Sequence, residues 1–221
     1  MSNKTITDNK TAETIQTYDL SAQNYQDKFM QMDLYDDTYD RFCDLVKESA
    51  PSVLEIGTGP GNVTQYLLSR RPDFKIFGID LAPQMIKLAR LNNPQAEFEV
   101  MDCREIHKTE RKFKGIMCAF CLPYLPKEDS REFISNISQL LEPEGVLYIS
   151  TMEGDYAKSG YETTSFSGKN RVYVYYHQEN FITGCLEESG FEIVDLQKKR
   201  YPEQDGSFLT DMIFIAQKKL D

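Results

Sequence analysis

The sequence predicts an α/β fold built on a parallel sheet, and three observations carry the prediction. Short apolar runs alternate with stretches of helical periodicity between Ser52 and Thr151. The first run leads at once into three glycines within five residues, Gly57-Thr58-Gly59-Pro60-Gly61, and the second closes on an acid, Asp80. Strand, glycine turn, helix and strand in that order form the βαβ rhythm of a parallel sheet.

Each element has a local justification. Tyr35, Tyr39, Phe42 and Val46 recur at helical spacing and mark an amphipathic helix ahead of Pro51. SVLEI is the first strand, the stretch after the glycines up to Ser69 a helix, and KIFGID the second strand. Pro83 then opens a helix through Met85, Ile86 and Ala89, since proline suits a first turn where its missing N–H would be unpaired anyway. Glu97 to Met101, Lys114 to Phe120 and Val146 to Thr151 supply three more strands. Phe133, Ile134, Ile137, Leu140 and Leu141 give the helix before the last of these one apolar face.

Beyond Glu153 the pattern changes. SFSGKNRVYVYYH suggests a hairpin or lid, Gln178 to Ser189 a helix stopped by Gly190, and FEIVDLQKKRY with SFLTDMIFIAQKK a hairpin turning at Asp205-Gly206. Residues 1–10 are polar and expected to be a disordered tail. Residues 11–221 are expected to form one domain, with 11–50 as an N-terminal helical cap and 153–180 as a possible substrate lid.

Composition narrows the class of function. With 40% hydrophobic residues, 221 residues can bury one substantial core. No stretch approaches the roughly 20 apolar residues of a membrane-spanning helix, and the N-terminus lacks the apolar core of a secretory signal. A cytoplasmic, soluble protein is expected, and five scattered cysteines argue for reduced thiols. The CAFC run at Cys118 to Cys121 lacks a second pair, and His107 and His177 are the only histidines, so no metal site is expected. A formal charge of -10, from 25 basic and 35 acidic residues, works against nucleic acid and anionic membranes as partners. A small-molecule partner fits, and the oligomeric state stays open.

The turn after the first strand of a βαβ unit lies at the carboxyl edge of the sheet, where nucleotide-like ligands bind and glycine lets the backbone come close. Two cofactor classes compete for it. The dinucleotide fingerprint places a third small residue where this chain has Asn62, and Glu55, just ahead of Gly57, would repel a pyrophosphate. S-adenosylmethionine carries a cationic sulfonium and an α-ammonium, which suit that acid. Asp80 can accept hydrogen bonds from ribose hydroxyls in either class.

These segments resemble the class I S-adenosylmethionine-dependent methyltransferases, especially their small-molecule branch, from about Tyr18 to the C-terminus. VLEIGTGPGNVTQYL and GIDLAPQMIKLAR carry the resemblance most specifically, with FEVMDCREI, IMCAFCLPYL and LEPEGVLYIS behind them. The resemblance implies a Rossmann-like, seven-stranded, mostly parallel sheet with helices on both faces and N-terminal helices in addition. Its antiparallel last strand, Ser207 to Lys218, would lie beside the fifth.

For S-adenosylmethionine the resemblance implies Gly57, Gly59 and Gly61 under the methionine part with Glu55 nearby, and Asp80 on the ribose. It places Leu81 and Met85 against adenine, Asp102 on the exocyclic amine, the Cys103 backbone N–H on the ring and Ala119 at the fourth-strand exit. Tyr18 and Tyr25 match a helix that caps the cofactor.

Methyl transfer from a sulfonium is an in-line displacement with a good leaving group, so the protein mainly aligns the acceptor and removes its proton where needed. Enzymes that methylate amino groups of DNA and protein carry Asn or Asp before Pro-Pro-Tyr where this chain has Cys121-Leu122-Pro123-Tyr124. That departure argues against exocyclic-amine methylation of nucleic acid. Small-molecule members commonly carry Asp at the position of Lys114 and a histidine near Pro123 and Tyr124, both absent here. His177 and Tyr124 remain as catalytic candidates. Tyr156, Tyr161, Phe166, Tyr173 and Tyr175 suggest an aromatic-lined pocket. The function expected is methyl transfer to a small, uncharged or cationic acceptor. The alternatives are an NAD-dependent oxidoreductase and a non-catalytic S-adenosylmethionine- or adenosine-binding protein.

Overall fold

The computed structural model describes residues 9–164, 166–203 and 206–220. Three helices, α1 (Asn9–Leu20), α2 (Ala22–Phe29) and α3 (Asp36–Leu45), precede the sheet. The alternation expected then follows: β1 (Ser52–Ile56), α4 (Asn62–Arg70), β2 (Lys75–Asp80), α5 (Pro83–Asn92), β3 (Glu97–Val100), β4 (Phe113–Cys118), α6 (Lys127–Leu140) and β5 (Leu141–Met152). A hairpin of β6 (Gly160–Thr163) and β7 (Arg171–Val174), the helix α7 (Glu179–Glu188), and the long hairpin β8 (Phe191–Pro202) and β9 (Phe208–Lys218) complete the chain.

The main sheet has seven strands in the order β3-β2-β1-β4-β5-β9-β8. β1 to β5 are mutually parallel, and β9 enters antiparallel beside β5, with Tyr148 opposite Ile215. Alternation along β5 shows why both faces need helices. Leu147 and Ile149 pack with Phe133, Ile134 and Ile137 of α6 and Ile182 and Leu186 of α7. Val146 and Tyr148 pack on the other face with Phe42 of α3 and Leu67 of α4. Strands buried on both faces need near-continuous apolar sequence, which SVLEI and VLYIS supply.

Two expectations need adjustment, and a third falls partly outside the described residues. Of the tail 1–10, residues 1–8 lie outside the described residues. Asn9 and Lys10 already belong to α1, where the Lys10 ammonium sits 3.9 Å from the Tyr173 ring centroid; a tertiary contact overrides polar local composition there. β5 begins at Leu141 instead of Val146, because Leu141 already pairs with Phe113 across a register shift. Of the turn at Asp205-Gly206, Gly206 takes φ +83° and Asp205 lies outside the described residues.

The third small residue of the glycine loop is Gly61, not the site of Asn62. Gly61 caps α4 with φ +81°. A Cβ on it would come 2.4 Å from Asn93 Nδ2 and 3.3 Å from Ala89 Cα. Asn93, 1% exposed, donates from that same nitrogen to the Gly61 carbonyl at 2.9 Å. Gly61 therefore lets α4 sit closely on the end of α5.

Two carboxyls are buried in this frame. Glu55 on β1 is 2% exposed and accepts a short hydrogen bond from the Thr64 hydroxyl of α4. Burial pushes it up to about 7, against the pull of the Thr64 and Thr58 hydroxyls. Asp211 on β9, also 2% exposed, accepts from the Tyr35 hydroxyl at 2.7 Å. Burial, the largest cause, raises it to about 6.

Gly61→Ala is expected to lower stability by about 2 kcal/mol or more, because it adds a clash to an unfavourable φ. Gly168→Ala, at φ +65° with nothing within 4 Å of its Cβ, should cost about half as much. Thermal denaturation of both variants separates the two contributions, and equal losses would mean that α4 does not need the close approach. A second expectation concerns pH. Glu55 and Asp211 hold protons more tightly folded than unfolded, so the folded chain binds more protons across the window and stability falls as pH rises. For Glu55 the loss spans about pH 4.5 to 7 and is on the order of 3 kcal/mol. Carboxyls pulled down by a partner, such as Asp73 beside Arg71, contribute the opposite slope at lower pH. Urea denaturation across pH should show the loss, and Glu55→Gln should flatten it; an unchanged slope would take the proton away from Glu55.

Candidate active site

A cleft opens at the carboxyl ends of β1 to β4, and of the cofactor residues expected, all but Glu55 and Gly61 line it. Its floor is the glycine loop. Gly57 and Gly59 take φ +71° and +52°, and the N–H groups of Gly57 and Thr58 donate to the Ile79 carbonyl of β2 at 2.9 and 3.0 Å. Asp80 joins this loop to the next one. One carboxylate oxygen accepts from Gly59 N at 2.9 Å and the other from Ala82 N, at the start of α5, at 2.8 Å. Asp80 is thus both a helix-cap acceptor and a cleft carboxylate.

Leu81 and the buried Met85 give the cleft an apolar wall, with Asp102 and Cys103 following β3. Asp102 is gripped by Arg104, whose Nη2 lies 2.6 Å from Oδ2 and whose backbone N–H donates to Oδ1 at 2.9 Å. Cys103 Sγ lies 3.6 Å from Cys121 Sγ, and both are free thiols. The bond to Cys121, then burial, pushes the Cys103 thiol well above its ordinary value, so it is no nucleophile.

Glu55 and Gly61 are placed otherwise than expected. Glu55 lies behind the loop, on Thr64, and near pH 7 it is only partly ionised. Its charge therefore weighs little for or against a cationic ligand. Gly61 faces Asn93 and Ala89 of the helix packing.

A second cavity, which we call the chamber, adjoins the cleft and shares Tyr18, Tyr25, Gly57, Ala119, Phe120 and Tyr124 with it. Tyr18 and Tyr124 meet hydroxyl to hydroxyl in a short hydrogen bond. Phe166 stacks on Tyr18 at 5.3 Å and meets Tyr25 edge-on at 5.1 Å. Burial pushes the Tyr124 phenol up to about 12, and Tyr18 and Tyr25 also lie above their ordinary value through burial. These hydroxyls stay protonated near neutral pH; Tyr124 can orient a substrate, whereas its phenolate is not a resting base. Phe120, just past β4, holds φ +58°, a conformation that costs about 1–3 kcal/mol and is characteristic of residues over-determined at functional sites.

The roof is built by two distant segments. Thr17 of α1 donates to the Arg171 carbonyl at 2.7 Å, Tyr173 N donates to Thr14 Oγ1 at 3.0 Å, and Arg171 pairs with Glu13 at 2.6 Å. The aromatic residues of 153–180 divide accordingly. Tyr173 and Tyr175 line the cleft and Phe166 the chamber, whereas Tyr156 and Tyr161 line neither.

His177 does not enter either cavity. It is 0% exposed, its Nε2 lies 3.2 Å from the Leu122 carbonyl, and its ring stacks on Phe181 at 5.6 Å. Nδ1 finds no partner among the described residues, and burial lowers the histidine's proton affinity. This is a neutral packing histidine, which corrects the catalytic expectation.

Phe120, Arg104, Glu162, Glu203 and Asp211 also belong to these cavities and are not among the site residues that the sequence indicates. One of them leaves a trace in the sequence: Asp211 is an acid at the head of the apolar run MIFIA in the last strand. The positive φ of Phe120 leaves none, because no glycine or asparagine marks it.

Among the described residues, no helix is long and apolar enough to cross a membrane. A family model described as a methyltransferase domain matches residues 26–196. The chain is 32% identical over 101 residues to a putative methyltransferase, 235L, of Invertebrate iridescent virus 6, a match covering 46% of this chain and 37% of that protein. It is 36% identical over 102 residues to trans-aconitate 2-methyltransferase of Escherichia coli O157:H7, covering 46% and 39%. The matched stretch is thus less than two thirds of either relative. Among solved structures, the 1,6-didemethyltoxoflavin-N1-methyltransferase of Burkholderia thailandensis superposes with a TM-score of 0.69 at 20% identity, over 95% of this chain and 88% of that one. That likeness shows the fold, and the family match, over more than half of the chain, shows the kinship: this chain belongs to the methyltransferase-domain family.

Proposed function

We propose that this chain is an S-adenosylmethionine-dependent methyltransferase acting on a small molecule, with the cleft as cofactor site and the chamber as acceptor site. The observation that carries the reading is the junction of the two cavities at Gly57, Ala119, Phe120 and Tyr124, directly beyond a cleft whose glycine floor is fastened to Asp80.

The residues present fit an adenosyl sulfonium. Asp80 would accept the ribose hydroxyls with the lone pairs its two backbone bonds leave over. Leu81 and Met85 would sandwich the adenine, with Asp102 and the Cys103 N–H at its polar edge. A dinucleotide fits less well, because Asn62 and Val63, the first turn of α4, face the chamber instead of the cleft; a pyrophosphate in the cleft would not meet the N-terminus of the helix that follows the glycine loop.

When bound, S-adenosylmethionine supplies an electrophilic methyl whose departure leaves a neutral thioether. The chain's own share is alignment: hydroxyls of Tyr18, Tyr25 and Tyr124 orient the acceptor at the junction, and their rings with Phe166 exclude water. Residues 11–50 and 153–180 act in this reading as cap and lid of a single domain spanning 11–221, supported by the α1–β7 hydrogen bonds. Five free thiols support a cytoplasmic setting.

Calorimetric titration is expected to give micromolar binding of S-adenosylhomocysteine and none of NAD. Asp80→Ala should weaken the former by about 1–3 kcal/mol through lost charge-assisted hydrogen bonds. An unchanged affinity would remove Asp80 from the site, and a preference for NAD would overturn the cofactor.

A further inference from the structure

The chamber that adjoins the cleft has a wall chemistry that selects its occupant. The inference deepens the function proposed above and rests on the cleft being the cofactor site. Three carboxylates line the chamber and do not reach the cleft: Glu162 on β6, Glu203 past β8, and Asp211 on β9. Asp211 is buried against the Tyr35 hydroxyl, and Glu162 accepts from the Tyr176 hydroxyl at 2.6 Å. Glu203 is near enough to Asp211 to add to its raised proton affinity.

No Lys, Arg or His is among the described residues that line this chamber. The lysines of β8 are engaged elsewhere, Lys198 with Glu153 and Glu179 and Lys199 with Asp37. An anionic acceptor would be desolvated beside three acids, with no Lys, Arg or His among the described lining residues to pair it. A cation meets the opposite conditions. An ammonium carries three donors and no acceptor, and here carboxylates, phenol oxygens and aromatic faces are all within one cavity of ≈ 190 Å³.

We propose that the methyl acceptor is a compact amine that enters as its cation, with its ammonium held by Glu203 and Asp211 among the tyrosines of the chamber. A protonated nitrogen has no lone pair and cannot attack a methyl carbon. The held ammonium is therefore the anchor, set apart from the positive sulfur, and the atom that takes the methyl is a different one, presented at the Tyr124 junction.

The test is calorimetry on the full chain. S-adenosylhomocysteine is titrated first, and the saturated protein then receives a panel of amines, each against its carboxylate match, such as tyramine against 3-(4-hydroxyphenyl)propionate. The amines should bind at least about tenfold more tightly than their matches. Glu203→Gln should reduce amine binding about fivefold or more while S-adenosylhomocysteine affinity stays within about twofold, which also reports that the variant is folded. Equal binding, preference for the carboxylates or no amine binding overturns the acceptor class and leaves the cofactor reading standing. Failure of S-adenosylhomocysteine to bind removes the cofactor reading and this inference with it.

Discussion

The site depends on the fastening of the glycine loop to the end of β2. Ile79 takes two loop N–H groups on its carbonyl, and Asp80 takes the Gly59 N–H on one carboxylate oxygen and the N–H of Ala82, just ahead of α5, on the other. Two parallel strands thereby end in one rigid platform, and backbone that would otherwise lie unpaired at the sheet edge is satisfied. Because the glycines lack Cβ atoms, that platform remains open toward the cleft. Because Gly61 lets α4 approach α5, the platform is supported from below.

The remainder of the site hangs from segments far apart in the chain. α1 and the β6–β7 hairpin share hydrogen bonds and an ion pair, so the tyrosines of the first helices and Phe166 of the hairpin arrive over the same opening. The antiparallel entry of β9 beside β5 brings Asp211 to the chamber, opposite Met152. Topology, more than any local motif, decides which polar groups line the chamber.

That division explains what the sequence made legible. The parallel core could be read because strands buried on both faces need unbroken apolar runs, and the cleft-lining Gly57, Gly59, Asp80, Asp102 and Cys103 could be read because they follow strand ends in order. Glu55 was misplaced because spacing reports proximity along the chain and not which way a strand residue points; its side chain turns to Thr64. His177 looked available beside a tyrosine-rich strand, yet a parallel bridge to Glu153 draws it under Leu122. The backbone angle of Phe120 and the place of Glu203 left no trace, one because no glycine or asparagine marks it and the other because it reaches the chamber through the β8–β9 hairpin.

The central claim is that cleft and chamber are the two halves of one transfer site meeting at Gly57, Phe120 and Tyr124. A crystal structure with S-adenosylhomocysteine tests it most directly. The ribose hydroxyls are expected on Asp80, the adenine between Leu81 and Met85, and the thioether sulfur at the junction, facing the chamber. A ligand whose sulfur points away from Tyr124, or which binds elsewhere than over Gly57 and Gly59, would contradict it.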